Sequence, residues 1–237
     1  MKMSKLLSLL FPRKCSLCGT PMADAGEYDA LCPDCMLKYS MLCEEKCSHC
    51  GQRQKYCRCE KIDGAEISLH LFEFSSELSR NIIYTLKRRN DKYLQNFLAR
   101  QLAGEIVNTL KEESCGEKFT ISFVPRNPAS VRDFGFDQSK LVAEKIAALT
   151  DMRCAGLFVH AKNTKTQKEI SAKDRKDNAS NSYSAKNGVG ATGTLVIVDD
   201  VTTSGSTLSR CASLAKEIGA EKVMAVAVAM TPKKTGW

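Results

Sequence analysis

VIVDDVTTSGST, Val196 to Thr207, runs from a hydrophobic strand through two adjacent acids into a loop of threonine, serine and glycine, and then into a helix. In that order these parts make an anion cradle. N–H groups in the first turn of a helix point at the ligand, and the helix dipole favours negative charge there. Gly205 lets the backbone approach closely, while Thr203, Ser204 and Thr207 offer hydroxyl donors. Asp199 and Asp200 would repel an anion unless they face something else. Vicinal sugar hydroxyls or a Mg²⁺ shell are the natural partners. No Gly-Lys-Ser/Thr follows, so this is not a Walker loop. A turn capped by serine and threonine is the plainer alternative, but it gives no reason for Asp-Asp directly after a buried run.

Outward from this loop the chain alternates strands and helices. Upstream, Glu66 to Phe74 sets Ile67, Leu69 and Leu71 against polar residues, a strand pattern with His70 on its polar phase. Leu78, Ile82 and Leu86 form one helical stripe, and Leu94, Leu98, Leu102, Ile106 and Leu110 a second, separated near Arg88 to Asp91. Phe119 to Val124 predicts a strand ending at Pro125, Phe136 to Leu149 a helix, and GLFVH a short strand ending at His160. Ala161 to Asn187 is polar and lysine-rich. Thr194 to Val198 and Val223 to Met230 predict buried strands around a helix over Thr207 to Ile218. Near-continuous apolar strands alternating with helices predict an α/β fold, a parallel sheet with helices on both faces.

The 237 residues carry 12 cysteines, nine of them between Cys15 and Cys59. Cys15-x-x-Cys18 and Cys32-x-x-Cys35 supply four thiolates to one tetrahedral Zn²⁺. Cys47-x-x-Cys50 with Cys57-x-Cys59 predicts a second site, although a single residue between the last two is a less usual zinc turn. Cys43 is left over and could replace a neighbour. A disulfide knot or buried free thiols are the alternatives. Four cysteine ligands leave no open position, so both zincs would be structural. They would lower the formal charge of +8 to about +4. The predicted division is residues 1–60, a small cysteine-rich domain with little to form a core, and residues 61–237, the α/β domain.

The longest apolar run, Val223 to Met230, is far shorter than the roughly 20 residues that span a membrane, so no membrane span is expected. The opening MKMSKLLSLLFPRK lacks a small-residue cleavage site, which together with the thiol content points to the cytoplasm.

The loop resembles the phosphoribosyl-pyrophosphate (PRPP) motif of type I phosphoribosyltransferases. That resemblance implies a fold of their type. It implies that Asp199 and Asp200 hold ribose hydroxyls or act at the reacting centre, and that Val201, Thr202, Thr203, Ser204, Gly205, Ser206 and Thr207 wrap the 5′-phosphate, with Mg²⁺ accompanying PRPP. Val124 to Ala147 is similar to a stretch of the ComF family with an Arg-Gly-Phe-Asn-Gln core, written here Phe134-Gly135-Phe136-Asp137-Gln138 with Arg132 nearby. Thr164 to Asn178 resembles that family's Thr-x-x-Gln and Arg-x-x-Asn stretch through Thr166, Gln167, Arg175 and Asn178. A double zinc ribbon followed by a phosphoribosyltransferase-like domain is that family's architecture, so the chain is identified as a member of the ComF family. Membership implies natural competence, handling of incoming single-stranded DNA and a helicase-like partner, ComFA. It also places Arg126 at the pyrophosphate loop, and Lys165, Lys168 and Arg175 in a loop closing over PRPP.

Arg80 to Arg100 carries six basic residues against Asp91 alone. Lys87, Arg88, Arg89 and Lys92 are the first candidates for nucleic-acid phosphates, with Arg53, Lys55 and Arg58 second. Tyr84, Tyr93 and Tyr56 could stack on bases. A solvated helix face is the alternative. Three functions stay open: a PRPP-binding protein of competence, an active phosphoribosyltransferase on an unknown acceptor, and a zinc-ribbon adaptor for a DNA translocase.

Overall fold

The computed structural model describes residues 12–22, 25–26, 29–47, 52, 57, 62–113, 118–160 and 182–232. The cysteine-rich segment begins with a two-strand ribbon, β1 (Arg13–Lys14) against β2 (Pro21–Met22), followed by helix α1 (Pro33–Glu44). Then come β3 (Ile67–Glu73), α2 (Glu77–Arg88), α3 (Lys92–Glu112), β4 (Phe119–Phe123), α4 (Pro128–Phe134), α5 (Gln138–Thr150) and β5 (Arg153–Cys154). The chain continues as β6 (Phe158–His160), β7 (Tyr183–Ala185), β8 (Thr194–Thr202), α6 (Ser206–Glu217) and β9 (Lys222–Met230).

The main sheet has the order β3-β9-β8-β4-β5, and every pair in it is parallel. Strand residues alternate between its faces. Val196, Val198, Met224 and Val226 meet Ile82, Leu98, Leu102 and Ile146 from α2, α3 and α5. Leu195, Ile197, Val223 and Ala225 meet Leu208, Cys211 and Ala215 of α6. The class expected from the sequence is therefore the one found: a parallel α/β sheet covered on both faces, behind a cysteine-rich segment.

Local chemistry sets the helix boundaries. Ser76 and Ser79 form a reciprocal capping box at the start of α2, and Asp91 accepts from the Tyr93 and Leu94 N–H groups at the start of α3. The break between the two stripes falls where the sequence places it. The predicted helix over Phe136 to Leu149 begins later, at Gln138, because Gly135 ends α4 in a left-handed turn (φ +79°) and Asp137 caps α5.

Three expectations change. His70 is buried (3% exposed), since β3 is covered rather than half-solvated. The end of the polar stretch before Asn187 forms β7, which pairs antiparallel with β6 outside the main sheet. The cysteine-rich segment also contributes to the core. Tyr39 and Leu42 of α1, with Ala30, Leu31, Cys15, Cys32 and Cys35, share one apolar cluster with the sheet. The Tyr39 ring stands edge-on to Phe97 at 4.9 Å and to Phe72 at 6.1 Å. A segment this short cannot enclose those side chains by itself, so it shelters them against β3 and α3. Among the described residues no helix is long and apolar enough to cross a membrane.

Candidate functional site

From β4 the chain passes through α5 to β5 on one side, and from β8 through α6 to β9 on the other. The sheet therefore reverses direction between the neighbours β4 and β8. In open α/β sheets the crevice at the carboxyl ends of the strands, at such a reversal, is where ligands bind. The first of these ends leads into Val124-Pro125-Arg126 and the second into Thr203 to Ser206. Arg126 and the threonine-serine loop thus follow the carboxyl ends of neighbouring strands.

Strand alternation separates the two acids. Asp200 shares the parity of Val196 and Val198 and is 5% exposed. Its Oδ1 lies 3.1 Å from Lys87 Nζ, and its Oδ2 accepts from Gln138 Nε2. Both oxygens are engaged. Asp199 has the opposite parity and is half-buried. Its Oδ1 accepts from the Asp200 N–H at 2.8 Å and from Ser139 Oγ at 3.4 Å. Among the described residues nothing engages its Oδ2. Burial, then the Asp200 charge, pushes the Asp199 carboxyl up to about 8, against a smaller pull from Lys87. Asp200 is a fixed anion inside an ion pair, while Asp199 is the acid with an oxygen to offer.

The loop residues divide as well. Thr202 is buried and registered against Met230, so it closes the strand instead of lining the cradle. Thr203 and Ser204 are exposed, and Ser204 Oγ lies 2.9 Å from Ser206 Oγ. Gly205 caps α6 at φ +79° and has no side chain to cap it with, while the Ser206 N–H of the first turn donates to Ser204 Oγ at 3.4 Å. Val201, Gly205, Ser206 and Thr207 are half-buried around that open helix start. Arg126 is held firmly. Its N–H donates to Asp137 at 2.8 Å, its guanidinium donates to the Phe136 carbonyl at 3.2 Å, and it stacks over Phe134 at 4.6 Å. Phe134 stands where the ComF motif has arginine, and the Arg88 guanidinium of α2 lies 5.6 Å from the same ring. Lys165, Lys168 and Arg175 lie outside the described residues.

Gln138 and Ser139 were not singled out from the sequence as site residues. Gln138 is buried, and its Oε1 has no partner among the described residues, a state that asks for a donor beside Asp200. The available signal was their place at the start of α5, directly after the motif's aspartate. Nor did the sequence place Lys87 at the acid pair. The basic run and the phosphate loop, far apart in the sequence, meet because the last turn of α2 ends over β8.

A hard cation such as Mg²⁺ takes one or two carboxylates with water and phosphate oxygens. Asp199 Oδ2 fits that donor set. In the ribbon, the sulfurs of Cys15, Cys18, Cys32 and Cys35 all lie within 4.8 Å of one another. Four sulfurs about 2.3 Å from one ion stand roughly 3.8 Å apart, so this cluster fits a tetrahedral structural Zn²⁺. Thr20 beside Cys18 favours its thiolate, lowering it to about 6, while burial pushes Cys35 up. Cys47 and Cys57 are buried, but Cys50 and Cys59 lie outside the described residues.

Residues 6–64 match the double zinc ribbon domain. Competence protein F of Haemophilus influenzae is 26% identical over 186 residues, 75% of this chain and 81% of that protein. Competence protein ComFC of Streptococcus pneumoniae is 21% identical over 228 residues, 89% of this chain and 96% of that protein.

The chain is a ComF homologue. Among solved structures, purine phosphoribosyltransferase from Pyrococcus horikoshii aligns with a TM-score of 0.36 and 16% identity, over 60% of this chain and 79% of that one. Glutamine PRPP amidotransferase from B. subtilis aligns with a TM-score of 0.36 and 20% identity, over 56% of this chain and 25% of that one. The chain thus spans about a quarter of the amidotransferase's length.

Proposed function

We propose that this chain binds PRPP with Mg²⁺ in the crevice between β4 and β8, and that it works in natural competence as its two competence relatives do. One observation carries the reading. At the reversal point of the strand order, Asp199, whose Oδ2 has no partner among the described residues, stands beside a glycine-capped helix start on a hydroxyl-rich loop. A ribose carrying a 5′-phosphate presents the two chemistries that this pair accepts.

On this reading the N–H groups of the first turn of α6, with Thr203, Ser204 and Thr207, hold the 5′-phosphate. Asp199 accepts from the ribose hydroxyls, and Gln138 Oε1 offers a further acceptor. Arg126 faces the pyrophosphate. When bound, Mg²⁺ would neutralise charge on the departing pyrophosphate. In a transfer, an acceptor nitrogen forms a bond to C1 as the bond from C1 to the pyrophosphate oxygen breaks. Pyrophosphate leaves with the electron pair, and the nitrogen's proton passes to Asp199. Positioning and charge stabilisation supply the acceleration. The double zinc ribbon, with its second zinc at Cys47, Cys50, Cys57 and Cys59, forms residues 1–60, and the PRPP-binding unit forms residues 61–237. Thiolate-rich sites of this kind belong in the reducing cytoplasm.

Calorimetric titration with PRPP and Mg²⁺, followed by a pyrophosphate-release screen against nucleobases and amines, tests this. Asp199→Asn should weaken PRPP by about 1.5–3 kcal/mol, one charge-assisted hydrogen bond. Unchanged affinity in the folded variant removes the assignment. Binding without pyrophosphate release would make the chain a PRPP-binding protein of competence rather than a transferase.

A further inference from the structure

A second recess adjoins the acid pair, and neither the phosphate loop nor the zinc ribbon accounts for it. It measures about 670 Å³ and lies between the outer face of α2 and the end of β8. Val201 and Thr203 line it from the loop side, and Arg80, Tyr84, Lys87 and Arg88 from α2. Spacings of three and four residues put those four side chains on one helix face. In an ordinary surface helix that face would be solvated. Here the loop after β8 stands opposite it and makes a wall.

The lining has a definite chemistry. Lys87 is already committed to Asp200. Among the described residues Arg80 and Arg88 pair with no acid, and Glu77 is the one carboxylate that lines the recess. The Arg88 guanidinium lies over the Tyr84 ring at 4.9 Å and near Phe134 at 5.6 Å, so two aromatic rings fix its plane. Tyr84 is 52% exposed, which leaves much of this large aromatic side chain uncovered. A guanidinium fork recognises a carboxylate, an aromatic ring stacks on a planar ring, and a rim carboxylate accepts from an N–H. The volume falls in the range of small-molecule sites.

We infer that this recess is the acceptor site: it takes a planar aromatic carboxylate that carries a nitrogen nucleophile. This rests on the reading of the adjoining loop as a PRPP site. With the carboxylate on Arg80 and Arg88 and the ring on Tyr84, such a molecule lies beside Val201 and Thr203, next to the bound ribose. A single-stranded DNA segment is the competing occupant.

Fluorescence titration of the full zinc-loaded chain with 2-aminobenzoate, against its neutral isostere 2-aminobenzamide, separates the outcomes. The carboxylate should bind at least tenfold more tightly than the amide. Arg80→Gln and Arg88→Gln should each cost it about tenfold while leaving amide binding unchanged. Equal affinities, no binding of either compound at millimolar concentration, or an unaltered carboxylate affinity in R80Q/R88Q overturns the inference. So does displacement of the probe by a deoxythymidine oligomer that binds the parent more tightly than 2-aminobenzoate and loses that affinity in R80Q/R88Q. A parallel PRPP titration reports on the loop alone. If PRPP fails to bind while 2-aminobenzoate discriminates, the phosphate-loop reading fails and the aromatic-anion site stands as a binding site.

Discussion

Lys87 Nζ sits 3.1 Å from Asp200 Oδ1, tying the last turn of α2 to the end of β8. Lys87 is partly solvated, at 41% side-chain exposure, while its partner is buried. Lys87→Met would leave a buried carboxylate supported by Gln138 alone, and should destabilise the fold by about 1–3 kcal/mol. Asp200→Asn in that background should recover part of the loss. Urea unfolding of the two single variants and the double variant measures the coupling, and strictly additive losses would show that the pair contributes none.

The Asp199 carboxyl, raised to about 8 in the folded chain, binds its proton more tightly there than in the unfolded chain. The unfolded carboxyl titrates near 3.9. Its contribution to stability is therefore present in full below about pH 4 and is lost as the pH rises through about 8. The urea midpoint of the ligand-free protein should fall between pH 5 and pH 8.5, and Asp199→Asn should remove part of that fall. An identical pH slope in parent and variant would place Asp199 in a less desolvated setting. Binding that requires the carboxylate should also release a proton below pH 8, visible as a buffer-dependent calorimetric heat.

Because Cys15, Cys32, Cys35 and Tyr39 share a cluster with Phe72 and Phe97, stripping zinc should loosen more than the ribbon. A chelator assay should release two equivalents of zinc. Cys35→Ser should lose one equivalent and lower the thermal midpoint of the sheet as well. Release of one equivalent from the parent would remove the second site, and an unshifted sheet transition would make the ribbon an independent unit.

Gly205→Ala should destabilise by about 1–2 kcal/mol, because a side chain is disfavoured at φ +79°. The new Cβ would also lie 2.8 Å from Ile62 Cδ1. Ile62→Val removes that atom, so the double variant should relieve the contact while the backbone cost remains. Full rescue by Ile62→Val would make the steric contact the whole effect.

For single-stranded DNA, Arg89 and Lys92 are cleaner probes than Lys87, which belongs to the acid pair. If both meet phosphates, Arg89→Ala with Lys92→Ala should flatten the slope of log affinity against log salt by about 1.4. An unchanged slope assigns them to a solvated helix face.

The strands β3, β4, β6, β8 and β9 and the helices α2, α3, α5 and α6 are legible in the sequence. Apolar periodicity is a local property, so the two stripes of α2 and α3, the buried strands β8 and β9 and the Cys-x-x-Cys pairs were readable as they stand. The acidic pair and the loop after it were also legible, because strand, acids, glycine and helix are contiguous. Even the opposite facing of Asp199 and Asp200 was written in the strand's period of two, although the two acids were expected to act alike. The tertiary structure alone decided what meets across the chain. It brought Lys87 and Gln138 onto Asp200, buried His70 on a covered strand, laid Tyr39 of the ribbon against Phe97, and opened a recess between α2 and the loop after β8. Such contacts depend on strand order and helix placement. Those are set by the packing of all the apolar faces at once, and no single stretch of sequence carries them.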